Sequence, residues 1–138
     1  MMTDKRVLRI ATIEIPVSDL EKSILWYEKV LGTSVLTSTD HTAMLTLSAT
    51  NSSDYPTLYL VETCSQDQLA FKNSHTDITH SVIDFYVPDL EEFHSFLLDN
   101  GITVTPLNLF PNGKGLGGFG FVDLNGNSFG ATNITHSR

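Results

Sequence analysis

One pattern of residues occurs twice in this chain, at an offset of half its length. The stretch TIEIPVSDLE at Thr12–Glu21 recurs in altered form as VIDFYVPDLE at Val82–Glu91, in a chain of 138 residues. Each copy passes from an apolar, strand-like run into an acidic helix start, and each helix-like segment closes on a glycine, Gly32 or Gly101. Such a duplication predicts two similar modules that share one core, with a ligand cleft where they meet.

Composition argues against several classes of partner. Sixteen acidic residues against eight basic ones give a formal net charge of -8, which disfavours nucleic acid and anionic membrane surfaces, because both are bound through basic patches. No apolar run approaches the ~20 residues that a membrane-spanning helix needs, and no apolar signal segment precedes the first strand-like run. A single cysteine, Cys64, excludes an internal disulfide and a Cys-rich metal site. We therefore expect a cytoplasmic protein.

Periodicity and turn residues predict an α+β fold with the order β-α-β-β-β in each half. Ser18 or Asp19 is expected to cap the first helix, and Asp89 with Glu92 forms a capping-box pattern for the second. The polar segment 65–79 is interpreted as a connection, with an optional short helix near 66–71. The predicted strands are 8–17, 34–36, 43–47 and 57–63 in the first half, and 80–87, 102–110, 118–123 and 128–134 in the second.

Two parts of the chain match a known family pattern. The opening part is Pro16–Ser23 with Trp26, Tyr27 and Val30–Gly32, and the closing part is FVDLNGN at Phe121–Asn127. Together they resemble the vicinal oxygen chelate superfamily, which includes glyoxalases, bleomycin-resistance proteins and extradiol dioxygenases. Leu124 stands where the closing pattern usually has proline. The resemblance covers nearly the whole chain.

The resemblance implies an architecture and a mode of assembly. It implies one domain over residues 1–138, built from module 1 at about 7–64 and module 2 at about 80–134 with the connection 65–79 between them. The two βαβββ modules are expected to be related by a pseudo-twofold axis, and their curled mixed sheet to form an open cup that binds a small molecule. Chains of this length in the family usually pair, so a homodimer is expected.

The resemblance also implies where a metal would be bound. Metal-dependent members take four ligands, usually histidine or glutamate, from the first and last strands of both modules. The matching positions here are Thr12, Tyr59, Val82 and Gly130. These residues do not form a conventional divalent-metal site, which needs imidazole, carboxylate or thiolate donors, so we expect no metal cofactor. An alternative is a displaced site formed by Glu14, His80 and Asp84, which lie two residues from the lost first-strand positions.

Glu14 and Asp84 are also the candidate catalytic residues, because they occupy matching positions in the two copies. They are interpreted as the polar floor of a pocket, as an acid/base pair in which mutual repulsion separates the two pKa values, or as solvated residues at a sheet edge. The aromatic side chains Tyr59, Phe119 and Phe121 suit a flat or apolar ligand. The predicted ligand-binding set is Thr12, Glu14, Tyr59, Val82, Asp84, Phe119 and Phe121.

Three functions remain open from the sequence. The first is a protein similar to the bleomycin-resistance branch, which binds a small organic molecule in the cup without the usual metal. The second is a metal-dependent lyase, isomerase or dioxygenase-like enzyme with the atypical site at Glu14, His80 and Asp84. The third is a dimeric accessory module whose cup is vestigial. The sequence does not specify the ligand, or whether the glycine-rich loop 111–118 acts as a flap.

Overall fold

The computed structural model of the protein describes residues 5–47 and 54–136. The chain divides into two compact units, unit 1 at Met1–Ser65 and unit 2 at Gln66–Arg138. Across the described residues, helices are too short or too polar to cross a bilayer. The two units repeat one topology, as the duplicated sequence pattern predicts.

Unit 1 is a four-stranded mixed sheet with one helix. Strand β1 lies parallel to β4, and β4, β3 and β2 follow as antiparallel neighbours in the order β1-β4-β3-β2. Buried residues alternate with less buried ones along β1, β3 and β4, so one face of this sheet forms the core. The elements are β1 at Thr12–Val17, α1 at Leu20–Leu31, β2 at Ser34–Ser38, β3 at Thr42–Thr46 and β4 at Thr57–Glu62.

Helix α1 begins and ends where its sequence signals predict. The Asp19 side chain accepts a hydrogen bond from the Lys22 backbone N–H at 3.1 Å, which satisfies one of the free donors of the first turn. Gly32 ends the helix with φ at 73°, a left-handed conformation that costs glycine little. The buried positions Leu20, Tyr27 and Val30 recur at helical spacing and give α1 its packing face.

A carboxylate from β4 also binds the start of α1. Glu62 Oε2 accepts the Leu20 backbone N–H at 2.8 Å, and Glu62 Oε1 lies 2.9 Å from His41 Nδ1. The hydrogen bond with His41, and then that from Leu20, lower the pKa of Glu62 below its ordinary value of 4.5. Glu62 therefore joins the helix start to the turn between β2 and β3 through its charged form.

This lowered pKa predicts a pH-dependent stability. A carboxyl group whose folded pKa is depressed stabilises the protein above its unfolded pKa, and the contribution is lost as pH falls through the folded pKa. We expect Glu62→Gln to flatten the decline in stability below pH 4.5. Urea unfolding across an acidic pH series measures this, with the exposed Glu91→Gln as control. An unchanged pH slope in Glu62→Gln would contradict the prediction.

Unit 2 repeats the arrangement of unit 1. Strand β7 lies parallel to β10, and the sheet order β7-β10-β9-β8 corresponds to β1-β4-β3-β2. A separate two-stranded hairpin, β5 with β6, precedes it. The elements are β5 at Phe71–Lys72, β6 at Thr79–His80, β7 at Ile83–Tyr86, α2 at Leu90–Asp99, β8 at Asn108–Leu109, β9 at Gly117–Val122 and β10 at Ser128–Thr132.

An aromatic cluster forms the core of unit 2. The ring of Phe93 on α2 lies 6.0 Å from that of Phe119 and 5.6 Å from that of Phe121, both on β9. The ring of Phe129 on β10 lies 5.3 Å from that of Phe85 on β7. These centroid distances are typical of stabilising aromatic pairs. The cluster therefore joins α2 and three strands across one face of the sheet.

The β9–β10 turn is held by one buried carboxylate. Asp123 Oδ1 accepts the backbone N–H groups of Asn125 at 2.8 Å and Asn127 at 3.0 Å, while Asp123 Oδ2 accepts Asn127 Nδ2 at 2.8 Å. Gly126 adopts a φ of 83°, which the predicted turn requires. Asn127 Oδ1 in turn accepts the Leu69 backbone N–H at 2.8 Å, so the turn also fixes the segment before β5.

Several predicted boundaries were wrong. Residues 8–11 are not strand, because the partner β4 begins at Thr57, opposite Thr12. Residues 66–71 form no helix. The predicted strand 80–87 is broken, because His80 pairs with Phe71 whereas Ile83 pairs with Phe129. Of the predicted strand 102–110, only β8 and an isolated bridge at Val104 form, consistent with the interruption expected at a proline without a backbone N–H.

Candidate functional site

The less buried face of the unit 1 sheet carries three predicted site residues. Thr12 and Glu14 alternate with the core residues of β1, and Tyr59 is the register partner of Glu14 on the parallel neighbour β4. Because register partners in parallel strands project to the same side, these side chains share one face. Thr12 Oγ1 lies 3.2 Å from Thr57 Oγ1. Glu14 is exposed and Tyr59 is partly buried.

The corresponding face of the unit 2 sheet is built around Asp84. Asp84 on β7 is the register partner of Gly130 on β10, and Gly130 is in turn the partner of Gly120 on β9. Ser81 Oγ donates a hydrogen bond to Asp84 Oδ1 at 3.0 Å. Val82 lies in the bend before β7 and is exposed. A single exposed carboxylate therefore lies beside two glycines on adjacent strands.

The carboxylate of Asp84 occupies the space that a side chain at position 130 would need. A Cβ atom built on Gly130 would overlap Asp84 Oδ1, and it would lie 3.0 Å from Asp84 Cγ and 3.2 Å from Ser81 Oγ. Glycine at 130 is therefore required for Asp84 to adopt this position over β10. Position 130 is one of the four places where the family pattern implies a metal ligand.

This face opens into a cleft of about 500 Å³. Its volume falls within the range of ~300–1,000 Å³ that is typical of small-molecule sites. Asp84 is its only Asp, Glu, Lys or Arg among the described residues, and backbone of β9 and β10 forms much of the remaining wall. The lining residues are Thr79, His80, Ser81, Asp84, Thr105, Pro106, Asn108, Phe110, Gly117–Phe121, Ser128–Thr132 and Ile134.

His80 lies at the margin of the same cleft, where the β5–β6 hairpin holds it. Its Nε2 atom is 3.3 Å from Asn73 Nδ2, and its ring stacks on Phe71 at a centroid distance of 5.2 Å. Among residues 5–47 and 54–136, no three His, Cys, Asp or Glu side chains are grouped so that they could hold a metal ion. The alternative metal site at Glu14, His80 and Asp84 combines a residue of unit 1 with two of unit 2, and it stays a prediction.

Phe119 and Phe121 lie largely in the core, although both are among the residues that line the cleft, and their role in ligand binding stays a prediction. They are 7% and 2% exposed, and both pack against Phe93 of α2 in the aromatic core. On β9 the glycines Gly118 and Gly120 alternate with these phenylalanines and are less buried. The aromatic rings therefore contribute to the core, and the glycine side of the strand is the more accessible one.

The residues at the four family positions do not fit a divalent metal. Val82 and Gly130 have no side-chain donor, and Thr12 and Tyr59 offer neutral hydroxyl groups instead of imidazole, carboxylate or thiolate. At Gly130 the place of the missing ligand is taken by Asp84, which belongs to a different strand. Asp84 alone provides one carboxylate, too few donors for a closed site.

Sequence reasoning missed the residues that shape the cleft around Asp84. Thr105 Oγ1 accepts the Gly120 backbone N–H at 2.7 Å, and Thr105 N–H donates to the Gly120 carbonyl at 2.8 Å. Ser81 was missed because it lies in a bend between two short strands. The alternation GGFGFV at Gly117–Val122 contains a usable signal, since glycine at every second position of a strand leaves one face without side chains.

Comparison with known proteins gives a family match and several structural matches. The profile of the Glyoxalase/Bleomycin resistance protein/Dioxygenase superfamily matches residues 9–129. Comparison with curated protein sequences gives no significant match. Fosfomycin resistance protein FosX from Listeria monocytogenes is 14% identical, with a TM-score of 0.72 and coverage of 94% of this chain and 95% of that chain.

Two further solved structures show the same fold. FosX from Listeria monocytogenes complexed with Mn(II) and sulfate has a TM-score of 0.70 at 14% identity, covering 94% of this chain and 92% of that chain. A glyoxalase family protein from Enterococcus faecalis has a TM-score of 0.66 at 20% identity, covering 90% and 96%. At these identities the likeness shows the fold, whereas the chemistry depends on the residues of the site.

Proposed function

Because the chain belongs to the Glyoxalase/Bleomycin resistance protein/Dioxygenase superfamily, we propose that it binds a small organic molecule in the cleft of unit 2 without the family's divalent metal. The observation that carries the proposal is the Asp84 carboxylate, held by Ser81 over Gly130 in a cleft of about 500 Å³. A carboxylate in this position supplies a directional hydrogen-bond acceptor within a space of suitable size.

The chemistry of the family positions supports binding without a metal. A divalent ion is held by converging imidazole, carboxylate or thiolate groups, and Thr12, Tyr59, Val82 and Gly130 provide none of these. Glu14 on the exposed face of β1 is a second candidate acceptor for a ligand. The same proposal takes the protein as cytoplasmic and as a homodimer. The strongly exposed apolar residues Val7, Leu8 and Ile10 support the dimer, because a second chain could cover them.

A thermal-shift screen of metal-depleted protein tests the proposal. A ligand that binds the folded state at one hundred times its Kd stabilises the protein by about 2.7 kcal/mol, which raises Tm by about 5–10 °C for a chain of this size. We expect at least one small organic compound in a broad panel to do so with EDTA present. No stabilising compound would favour a vestigial site, and stabilisation that requires added Mn²⁺ would favour a metal-dependent enzyme.

A further inference from the structure

The cleft of unit 2 is anionic at one point only. Among its lining residues, Asp84 is the only Asp, Glu, Lys or Arg. Salt bridges of the described residues join other carboxylates, Glu62 with His41 and Asp77 with Lys72. Asp84 has Ser81 as its hydrogen-bond donor through Oδ1. It therefore retains acceptor capacity for a ligand that donates N–H groups.

The floor beside Asp84 consists of backbone. Gly130 and Gly120 are direct register partners on β10 and β9, and Gly118 follows two residues from Gly120 on the same side of β9. The Asp84 carboxylate covers Gly130, whereas Gly118 and Gly120 are partly exposed and present their backbone to the cleft. Glycine within a strand is found where a ligand approaches the backbone closely. Thr105 accepts a hydrogen bond from Gly120 and bounds the glycine floor on the β8 side of β9.

We infer that the ligand class is a flat ring bearing a cationic N–H donor, such as an amidinium group, with the ring over the glycine floor and the donor on Asp84. This inference rests on the proposed function and specifies its ligand. A planar amidinium can give two parallel N–H hydrogen bonds to a carboxylate, which is the strong, oriented form of charge-assisted pairing. A thin ring can lie against the backbone of Gly118 and Gly120, whereas a bulky aliphatic group cannot lie as close to the peptide planes.

Titration calorimetry in EDTA, with four matched small probes, tests this inference. The probes are benzamidine as the flat cation, benzamide as a neutral analogue, benzoate as an anionic analogue and cyclohexylamine as a cation that is not flat. We expect benzamidine to bind most tightly and benzoate not at all. Asp84→Asn should weaken benzamidine binding by about tenfold or more, because hydrogen bonds to charged groups contribute ~1.5–3 kcal/mol.

Two further variants separate a local effect from a folding defect. Asp99→Asn, an exposed carboxylate at the end of α2, should leave benzamidine affinity unchanged. Gly120→Ala keeps the charge of Asp84 but adds a methyl group to the floor, where its Cβ would meet Thr105 Cγ2 at 3.4 Å. It should weaken benzamidine more than cyclohexylamine. Backbone amide NMR shifts on titration should be largest at Ser81, Gly118, Gly120 and Gly130.

The inference is overturned if benzoate or cyclohexylamine binds as tightly as benzamidine, if none of the probes binds, or if folded Asp84→Asn keeps full affinity. Shifts confined to residues outside the cleft would overturn it as well. The proposed function fails by a different result, namely that no compound of any class stabilises the metal-depleted protein. A stabilising anionic or aliphatic compound would therefore reject the flat-cation inference and leave the proposed function standing.

Discussion

Replacing Phe129 with alanine is expected to destabilise unit 2 by about 3–5 kcal/mol, which is the usual cost of deleting a buried phenylalanine side chain. Phe129 is 1% exposed, and its ring lies 5.3 Å from that of Phe85 and 5.7 Å from that of Phe121. The neighbouring rings are fixed on β7 and β9, so they cannot collapse fully into the vacated space. The loss therefore includes a cavity contribution in addition to lost burial.

Urea unfolding followed by aromatic fluorescence and circular dichroism measures this change. Leu124→Ala is the matched control, because Leu124 lies in the turn of the same hairpin and is 57% exposed. It should change stability by less than about 0.5 kcal/mol, as is typical of surface substitutions. A loss below about 1 kcal/mol in Phe129→Ala would contradict the aromatic core, since removal of a well-packed ring costs more than that.

Much of the fold could be predicted because its signals are local. Asp19 and Asp89 both proved to be helix N-caps, each accepting the backbone N–H three residues later, and such a cap depends on one side chain and one turn of backbone. Gly32 likewise ends its helix through its own left-handed conformation. The repetition of these signals in both halves was enough to predict two βαβββ units.

Pairing between distant segments could not be predicted in the same way. The β5–β6 hairpin depends on Phe71 meeting His80. The sequence placed His80 in a longer strand and Phe71 in the connection, and no local pattern indicated that the two would pair. The packing of β9 against α2 is a second example, since alternation alone does not show which side of a strand a helix covers. Phe93 packs against both Phe119 and Phe121, a contact that the sequence did not indicate.

In the candidate site, too, the sequence identified individual residues but not the contacts between them. The sequence alone identified Asp84 as a candidate and Gly130 as a position without a donor. Their relationship depends on the parallel register between β7 and β10, which brings the carboxylate into the space of the absent side chain. Ser81 enters the site only through its hydrogen bond with Asp84. Contacts of this kind depend on register, which a single sequence does not encode locally.

The second large expected effect concerns metal content. A family member with four suitable ligands would hold about one equivalent of transition metal through purification, because such sites bind metal tightly. We expect this protein to hold far less, since Thr12, Tyr59, Val82 and Gly130 supply no imidazole, carboxylate or thiolate. Adding Mn²⁺ or Zn²⁺ and then dialysing should leave the content unchanged, because weak binding by isolated surface carboxylates does not survive dialysis.

Elemental analysis of protein purified without a histidine tag, loaded with metal and dialysed, tests the central claim most directly. Glu14→Ala is compared with Glu21→Ala, which removes an exposed glutamate from the first turn of α1. We expect only trace metal in the wild type, in Glu14→Ala and in Glu21→Ala, together with ligand binding that EDTA does not alter. About one equivalent of transition metal in the wild type and in Glu21→Ala, lost in Glu14→Ala, would contradict this expectation.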